Sequence, residues 1–375
     1  MKIAIIGCGF VADFYLQSLR LYPSLELEGV FDRDLARGRR FAAFYSVGRV
    51  YTSLDEILDD RSIDLVLNLT NPRDHYAISK ACLTSGKSVY SEKPLAMEFD
   101  QARELVVLAE KTGVQIACAP GSILGETAQS IWHALRANVV GNVRLVYAEM
   151  DDGMVFKAPY QHWKSSSGTP WPYKDEFEVG CTLEHAGYYV NWLTAFFGPA
   201  TSVTAFSSCL YPDKTPGEPL DQLSPDFSVA CIRFASGTVA RLTCSLIAPE
   251  DQRLRFFGDE GILSTKHAWN YREPVRVSKL IRIRRKLLVS PFGRKYPLVR
   301  LSGIPAPIRK AHPMEFSRAP ALMAAAIEAK QPSPIPMDYC LHNNEIALAI
   351  HHALELSDTV RLTTSFEPLQ PLPLA

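Results

Sequence analysis

Apolar runs of strand length alternate with amphipathic stretches along the first third of the chain. Ile3–Ile6 reads as a buried strand with a helix-like segment behind it. Leu27–Phe31 follows as a second strand, and Arg33–Ser46 as a charged helix. Val50-Tyr51 reads as a short strand, and Ser53 as the cap of a short helix. Asp64–Leu69 is a further buried strand, and His75–Ser85 a helix stopped by Gly86. Lys87–Ser91, helix Asp100–Thr112 and Gln115–Ala119 complete a set of six strands. Such alternation predicts a parallel sheet covered on both faces.

The pattern changes after Pro120-Gly121. One more helix, Glu126–Asn138, leads into the predicted strands Asn142–Asp151, Ala200–Leu210, Asp226–Phe234, Thr238–Ala248 and Leu254–Phe257. Ser236-Gly237 and Asp259-Glu260-Gly261 have the composition of hairpin turns. A helix over Cys181–Phe197 interrupts the strands, and helices Met314–Lys330 and Asp338–Ser357 come late. The Pro-rich tail beyond Phe366 reads as an extended strap. The second half therefore predicts an α+β domain with an open, mostly antiparallel sheet.

At 375 residues the chain has room for two domains, placed here at 1–121 and 122–375. Forty basic and forty acidic side chains cancel, so total charge calls for neither nucleic acid nor a membrane. The eight cysteines show no Cys-x-x-Cys spacing, and the nine histidines show no ligand spacing, so no metal is expected. Thiols used as small hydrophobes, with no signal peptide and no run long enough to span a bilayer, predict a cytoplasmic protein. One stretch departs from the balance: between residues 274 and 313 there are eleven Lys and Arg and no acid. Within it, over the run 276–310, Val277–Val289 reads as a solvated edge strand that deters sheet pairing, with an anionic substrate portion or contact with a membrane surface as the sharper alternatives.

Candidate chemistry begins at Gly7-Cys8-Gly9-Phe10-Val11-Ala12, directly after the first strand. Gly7 permits a tight turn, Gly9 lets backbone approach a pyrophosphate, and Ala12 lets the helix pack against the strand. The helix N-terminus then offers N–H groups and a positive dipole end to phosphates. Asp32 stands about 20 residues on, where a ribose hydroxyl needs an acceptor. An acid there with no evident phosphate-binding partner predicts NAD. The neighbouring Arg33 leaves NADP open, because a guanidinium holds a 2′-phosphate.

A second cluster, Glu92-Lys93-Pro94, ends the strand Lys87–Ser91, where ligands of parallel sheets lie. Together with the glycine turn and Thr70-Asn71-Pro72 with His75, it resembles the Gfo/Idh/MocA oxidoreductases, the family of glucose–fructose oxidoreductase and inositol 2-dehydrogenase. The resemblance spans nearly the whole chain. It implies an α/β Rossmann domain plus the α+β domain, with the site in the cleft between them. It also implies a reversible hydride transfer to or from a secondary hydroxyl of a sugar, cyclitol or glycoside. On that resemblance Gly7, Gly9, Phe10, Val11, Ala12, Asp32, Arg33, Thr70, Asn71, Pro72, His75, Glu92 and Lys93 are expected around the cofactor, and Lys93 at the substrate oxygen.

Family members carry Gly-x-x-x-Asp-x-x-x-His on a helix; here the aligned residues are Gly180, Glu184 and Tyr188, with Asn191 following. Helical spacing puts Glu184, Tyr188 and Asn191 on one face, with His185 about 100° away. Tyr188 is the expected proton carrier, His185 its rival, and Glu184 the residue that positions the substrate. Residues 162–176 are rich in aromatics and hydroxyls. Trp163, Trp171, Lys174 and Asp175 there are candidate substrate contacts on a specificity lid. The expected partner is a small carbohydrate-like molecule, and relatives suggest a homodimer or homotetramer. Two other readings stay open: redox-neutral cleavage of, or elimination from, a glycoside with a retained cofactor, and a cofactor-sensing protein without turnover.

Overall fold

The computed structural model describes residues 1–306, 312–354 and 358–375, organised as two compact units. The first takes Met1–Gly121, Pro159–Glu176 and Pro305–Asn344; the second takes Ser122–Ala158, Phe177–Ile304 and Glu345–Ala375. This differs from a single cut at residue 121, because two later stretches return to the N-terminal unit.

In the first unit, β1 (Lys2–Ile6), β2 (Glu26–Phe31), β3 (Leu65–Asn68), β4 (Ser88–Ser91) and β5 (Ile116–Cys118) form a parallel sheet in the order β2-β1-β3-β4-β5. The continuous burial of β3, β4 and β5 follows from helices on both faces: α1 (Ala12–Leu19), α2 (Leu35–Tyr45), α3 (Leu54–Asp59), α4 (His75–Thr84) and α5 (Phe99–Thr112). Asp34 caps α2 by accepting from the N–H groups of Ala36 and Arg37, and Ser53 caps α3 as expected. Of the six expected strands, the short one at Val50-Tyr51 does not form. Val50 makes only an isolated bridge to Val30, because the chain turns into α3 within three residues. Strand order reverses at β1, so the loops after β1, β2 and β3 share the carboxyl end of the sheet.

Residues 312–318 pin α1 in place. Phe316 stacks on Phe14, Ser317 bonds Ser18 and the Tyr15 carbonyl, and the fully buried Arg318 holds Glu315 through Nε at 3.1 Å and Nη2 at 2.8 Å. Tyr22, just beyond α1, donates to the same carboxylate at 2.8 Å.

The second unit is a ten-stranded sheet. Its strands are β6 (Val143–Asp151), β7 (Ala200–Ser208), β8 (Phe227–Phe234), β9 (Val239–Ser245), β10 (Leu254–Gly258), β11 (Gly261–Thr265), β12 (Val275–Ile283), β13 (Lys286–Val289), β14 (Arg294–Tyr296) and β15 (Val360–Arg361). The order is β13-β12-β11-β10-β6-β9-β8-β7-β15, with β14 beside β12, and only β6–β9 is parallel. Helices Glu126–Arg136 and Gly187–Phe197 cover one face through Trp132, Phe196 and Phe197 against Phe234 and Phe256. Leu145 and Phe206 stay exposed. The tail is tied back as a strap, with Leu372 N–H on Gln129 and Ser302 N–H on Pro373 O. The last predicted helix runs Met337–His351, and its expected end at 355–357 lies outside the described residues. Among the described residues no helix is long and apolar enough to cross a membrane.

Removing the carboxylate from a buried ion pair takes the charged partner from a buried guanidinium. Glu315→Ala is expected to lower stability by about 3–5 kcal/mol, read as a shift of the urea midpoint. A loss under ~1 kcal/mol would mean that Glu315 and Arg318 do not hold α1.

Candidate functional site

The turn after β1 is dictated by sterics. Gly7 has φ +93°, its N–H donates to Phe31 O at 2.8 Å, and a Cβ there would lie 2.6 Å from Leu69 O. At Gly9 a Cβ would meet only Leu69 O, at 4.0 Å. The chain itself therefore requires glycine at position 7. At position 9 the open space belongs to a cavity of about 420 Å³ that Gly9 lines with Phe10, Asp32, Arg33, Thr70 and Asn71. Ala12 is fully buried where α1 meets the sheet, and Val11 is the residue before the helix. A bare backbone turn at a helix N-terminus, open to a cavity, fits a pyrophosphate.

Asp32 is buried, and both its oxygens are engaged. Oδ1 accepts from Asp34 N–H and Arg37 Nη2, and Oδ2 from Cys8 N–H and Arg37 Nε, all within 2.8–2.9 Å. A guanidinium able to hold a phosphate therefore stands at Asp32, where the sequence showed no evident one. Arg37, in the first turn of α2 and on the cavity wall, clamps the carboxylate in bidentate fashion. The hydrogen bonds to Asp32 push the Arg37 pKa up. Arg33 is largely exposed on the same wall and pairs with Asp74 at 3.3 Å. Two guanidiniums beside one acid suit a ribose carrying either a hydroxyl or a phosphate.

The loop after β3 is held from beneath. Asn68 accepts from the Thr70 hydroxyl at 2.7 Å and donates to His75 O. Pro72 opens a short turn, and Asn71 donates to Asp175 at 2.5 Å. His75 is fully buried and does not line the cavity. Its ring lies between Pro94 O at 2.7 Å and Thr70 O at 2.9 Å. Two carbonyls favour an imidazolium, yet burial is the larger effect and pushes the pKa down. Set between the two carbonyls, the ring braces two loops and does not reach the cavity.

Lys93 follows β4. Tyr15 of α1 donates to Glu92 at 2.7 Å, and the other Glu92 oxygen accepts from Lys93 N–H at 3.1 Å. Burial, then the Glu92 charge, pushes the Tyr15 pKa well up, so the phenol remains a donor. Glu92 is a buried fixture under Lys93, whose own side chain is half-buried. The Lys93–Pro94 peptide is cis.

The segment expected to be a substrate lid belongs to the first unit. Asp13, in the first turn of α1, accepts from Ser167 N–H at 2.7 Å, from its hydroxyl at 2.8 Å, and from Tyr45. Trp171 and Asp175 line the same cavity as Gly9 and Asp32, whereas Trp163 and Lys174 do not. Trp163 instead packs on Trp171 with ring centres 5.1 Å apart.

In the second unit, the helix carrying Glu184, His185 and Tyr188 starts with a π turn over Thr182–Ala186 before becoming α-helical at Gly187–Phe197. The first turn is thus wider than an α-helical one, and regular 3.6-residue spacing begins at Gly187. His185 and Tyr188 both meet the indole of Trp269, at ring distances of 5.8 and 5.7 Å. His185 Nε2 lies 3.6 Å from Asp152, and Glu184, Tyr188 and Asn191 are buried. Sequence reasoning did not reach Asp13, Tyr15, Arg37, Asn68 or Trp269. Only Arg37 carried a local signal, three residues after the helix cap Asp34.

Residues 1–119 match the oxidoreductase family described as having an NAD-binding Rossmann fold, and residues 128–264 match the GFO/IDH/MocA C-terminal domain. An uncharacterized oxidoreductase from Synechocystis sp. is 23% identical over 276 residues, covering 70% of this chain and 71% of that protein. The trans-1,2-dihydrobenzene-1,2-diol dehydrogenase of Xenopus laevis is 28% identical over 208 residues, which cover 54% of this chain and 59% of the relative. Among solved structures, the aldose-aldose oxidoreductase from Caulobacter crescentus has TM-score 0.74 at 18% identity, over 96% of this chain and 99% of that one. The WlbA dehydrogenase from Bordetella pertussis, crystallised with NADH and UDP-GlcNAcA, has TM-score 0.72 at 16% identity, over 97% and 99%.

The two glycines should separate folding from binding. Gly7→Ala is expected to cost about 2–3 kcal/mol of stability. Gly9→Ala should leave the urea midpoint of the ligand-free protein near wild type and weaken NAD(H) binding by about ten-fold or more, read by calorimetric titration. Wild-type affinity in Gly9→Ala would remove the pyrophosphate from this turn.

Proposed function

Because the chain belongs to the Gfo/Idh/MocA family of NAD(P)-binding oxidoreductases, we propose that it moves a hydride between nicotinamide and a secondary hydroxyl of a sugar, cyclitol or glycoside. The observation that carries this reading is the pairing of an open glycine turn and a braced Lys93 in one unit. Gly9 leaves the phosphate cradle clear, and Tyr15–Glu92 fixes the strand end from which Lys93 projects. The carbohydrate class is supported by neighbours of the same fold: the aldose-aldose oxidoreductase, the UDP-N-acetylglucosamine 3-dehydrogenase from Acidithiobacillus ferrooxidans, and WlbA with its bound UDP-sugar.

When bound, the nicotinamide supplies or accepts the hydride. Lys93 donates a hydrogen bond to the reacting oxygen and, as a cation, favours the deprotonated state of an acid near it. The proton leaves to or returns from Tyr188, with His185, set beside Asp152, as the competing carrier. Glu184 orients the substrate hydroxyls. We assign dinucleotide binding to residues 1–121 with the cavity-lining segment 159–176, and substrate binding and self-association to the β-sheet unit. The exposed Leu145 and Phe206 support a homodimer or homotetramer.

A second reading has its own observation. Ser167 on Asp13 and Asn71 on Asp175 tie residues 159–176 beside the cofactor cavity. A dinucleotide enclosed there would leave slowly, which supports a retained cofactor and redox-neutral turnover on a glycoside.

A screen of sugars, cyclitols and glycosides with NAD and NADP, followed by absorbance of the reduced cofactor, is expected to identify a substrate. Product analysis by chromatography extends the screen to turnover without net reduction. Lys93→Met should then lower kcat by about 100-fold or more while dinucleotide affinity stays within about two-fold. Unchanged turnover in Lys93→Met would remove the lysine from the chemistry, and no turnover on any candidate would favour a cofactor sensor. If Tyr188→Phe keeps its kcat and His185→Asn loses it, the proton carrier is His185.

A further inference from the structure

The basic run resolves into a hairpin that leaves the body of the sheet. Within β12, Arg276–Lys279 pair with β11, and Leu280 N–H still donates to Glu260 O. Past Leu280, β12 pairs only with β13, in the register Ile281↔Leu288, Arg282↔Leu287 and Ile283↔Lys286. The end of the hairpin is thus a two-stranded ribbon without a sheet neighbour, an arrangement only marginally stable in water.

Its surface is apolar and cationic together. Ile281, Ile283, Leu287, Leu288 and Val289 are all exposed, and Phe292 just beyond is 85% exposed. Strand alternation places Ile281, Ile283 and Leu288 on one face, and Leu287 on the other beside Arg282. Neither face is therefore turned inward. Arg282, Arg284, Arg285 and Lys286 surround the tip, and no Asp or Glu occurs between residues 274 and 306 to neutralise them. Arg309 and Lys310 of the same run lie outside the described residues.

Charge decides among occupants. A two-fold contact of this hairpin with its own copy sets four cations against four with no acid in the segment, which is repulsive. A nucleic acid would use the cations but leave the aliphatic side chains in water. An anionic lipid surface takes both, cations at the phosphates and apolar side chains at the headgroup–acyl boundary. We propose that the β12–β13 hairpin docks this enzyme on anionic lipid, with Ile283, Leu287 and Phe292 entering the interface and Arg282, Arg284, Arg285 and Lys286 at the lipid phosphates. The assignment is independent of the hydride-transfer reading, since no site residue lies on the hairpin.

Flotation with phosphatidylcholine vesicles, with and without phosphatidylglycerol, tests it on the full chain. Wild type should float only with the phosphatidylglycerol vesicles and be released at high salt. The variant Arg282→Glu, Arg284→Glu, Arg285→Glu should bind on the order of 100-fold less. Leu287→Ser with Phe292→Ser should weaken binding at low salt. Both variants should keep the wild-type melting shift with NADH, which shows that they are folded. Failure of wild type to float, equal binding to neutral vesicles, or unchanged binding of the charge variant would overturn the proposal. A dimer that these substitutions dissolve, with no flotation by any variant or by wild type, would assign the hairpin to a second copy instead.

Discussion

No side chain fits at residue 7, and the dinucleotide-binding half is arranged around that fact. The Gly7 turn is wedged against Leu69 and stitched to the end of β2 by two bonds, Gly7 N–H to Phe31 O and Cys8 N–H to Asp32. One short segment thus sets the relative positions of the ends of β1, β2 and β3. The start of α1 follows from it, and α1 in turn supplies Asp13 to the segment at 167 and Tyr15 to Glu92. The cavity wall and the support under Lys93 are both consequences of where that helix begins.

The polar groups here show which interactions have been filled by the protein and which are left for a ligand. Asp32, Glu92 and His75 are all buried and all engaged with neighbouring residues. An engaged, buried carboxylate holds geometry well, because leaving its partners unmet is costly. The space beside Gly9 has no such occupant within the chain. Arg33 and Arg37 stand with Asp32 on the wall of the same cavity, so that wall carries two guanidiniums beside one acid.

Much of this was legible wherever local sterics or periodicity governed. The strand–glycine–helix unit, the cap at Ser53, the stop at Gly113 and the change to antiparallel strands after residue 121 follow from neighbouring residues alone. What escaped depended on distance along the chain or on irregular backbone. Ser167 and Asp13 are 154 positions apart, so nothing near residue 167 announces that it faces the cofactor half. The π turn at Thr182–Ala186, which carries His185, has no compositional mark. β11 was missed because its buried positions begin with Gly261 and end with Thr265, leaving Leu263 as the sole large apolar residue facing inward.

The central claim is that the glycine turn cradles a dinucleotide. Crystals grown with NAD test it most directly. The account predicts pyrophosphate density over Gly9 and the first turn of α1, with the adenosine ribose beside Asp32 and Arg37 and the chain at 167–175 alongside. A dinucleotide bound elsewhere, or a turn at residues 7–11 left without ligand at saturating NAD, would contradict it.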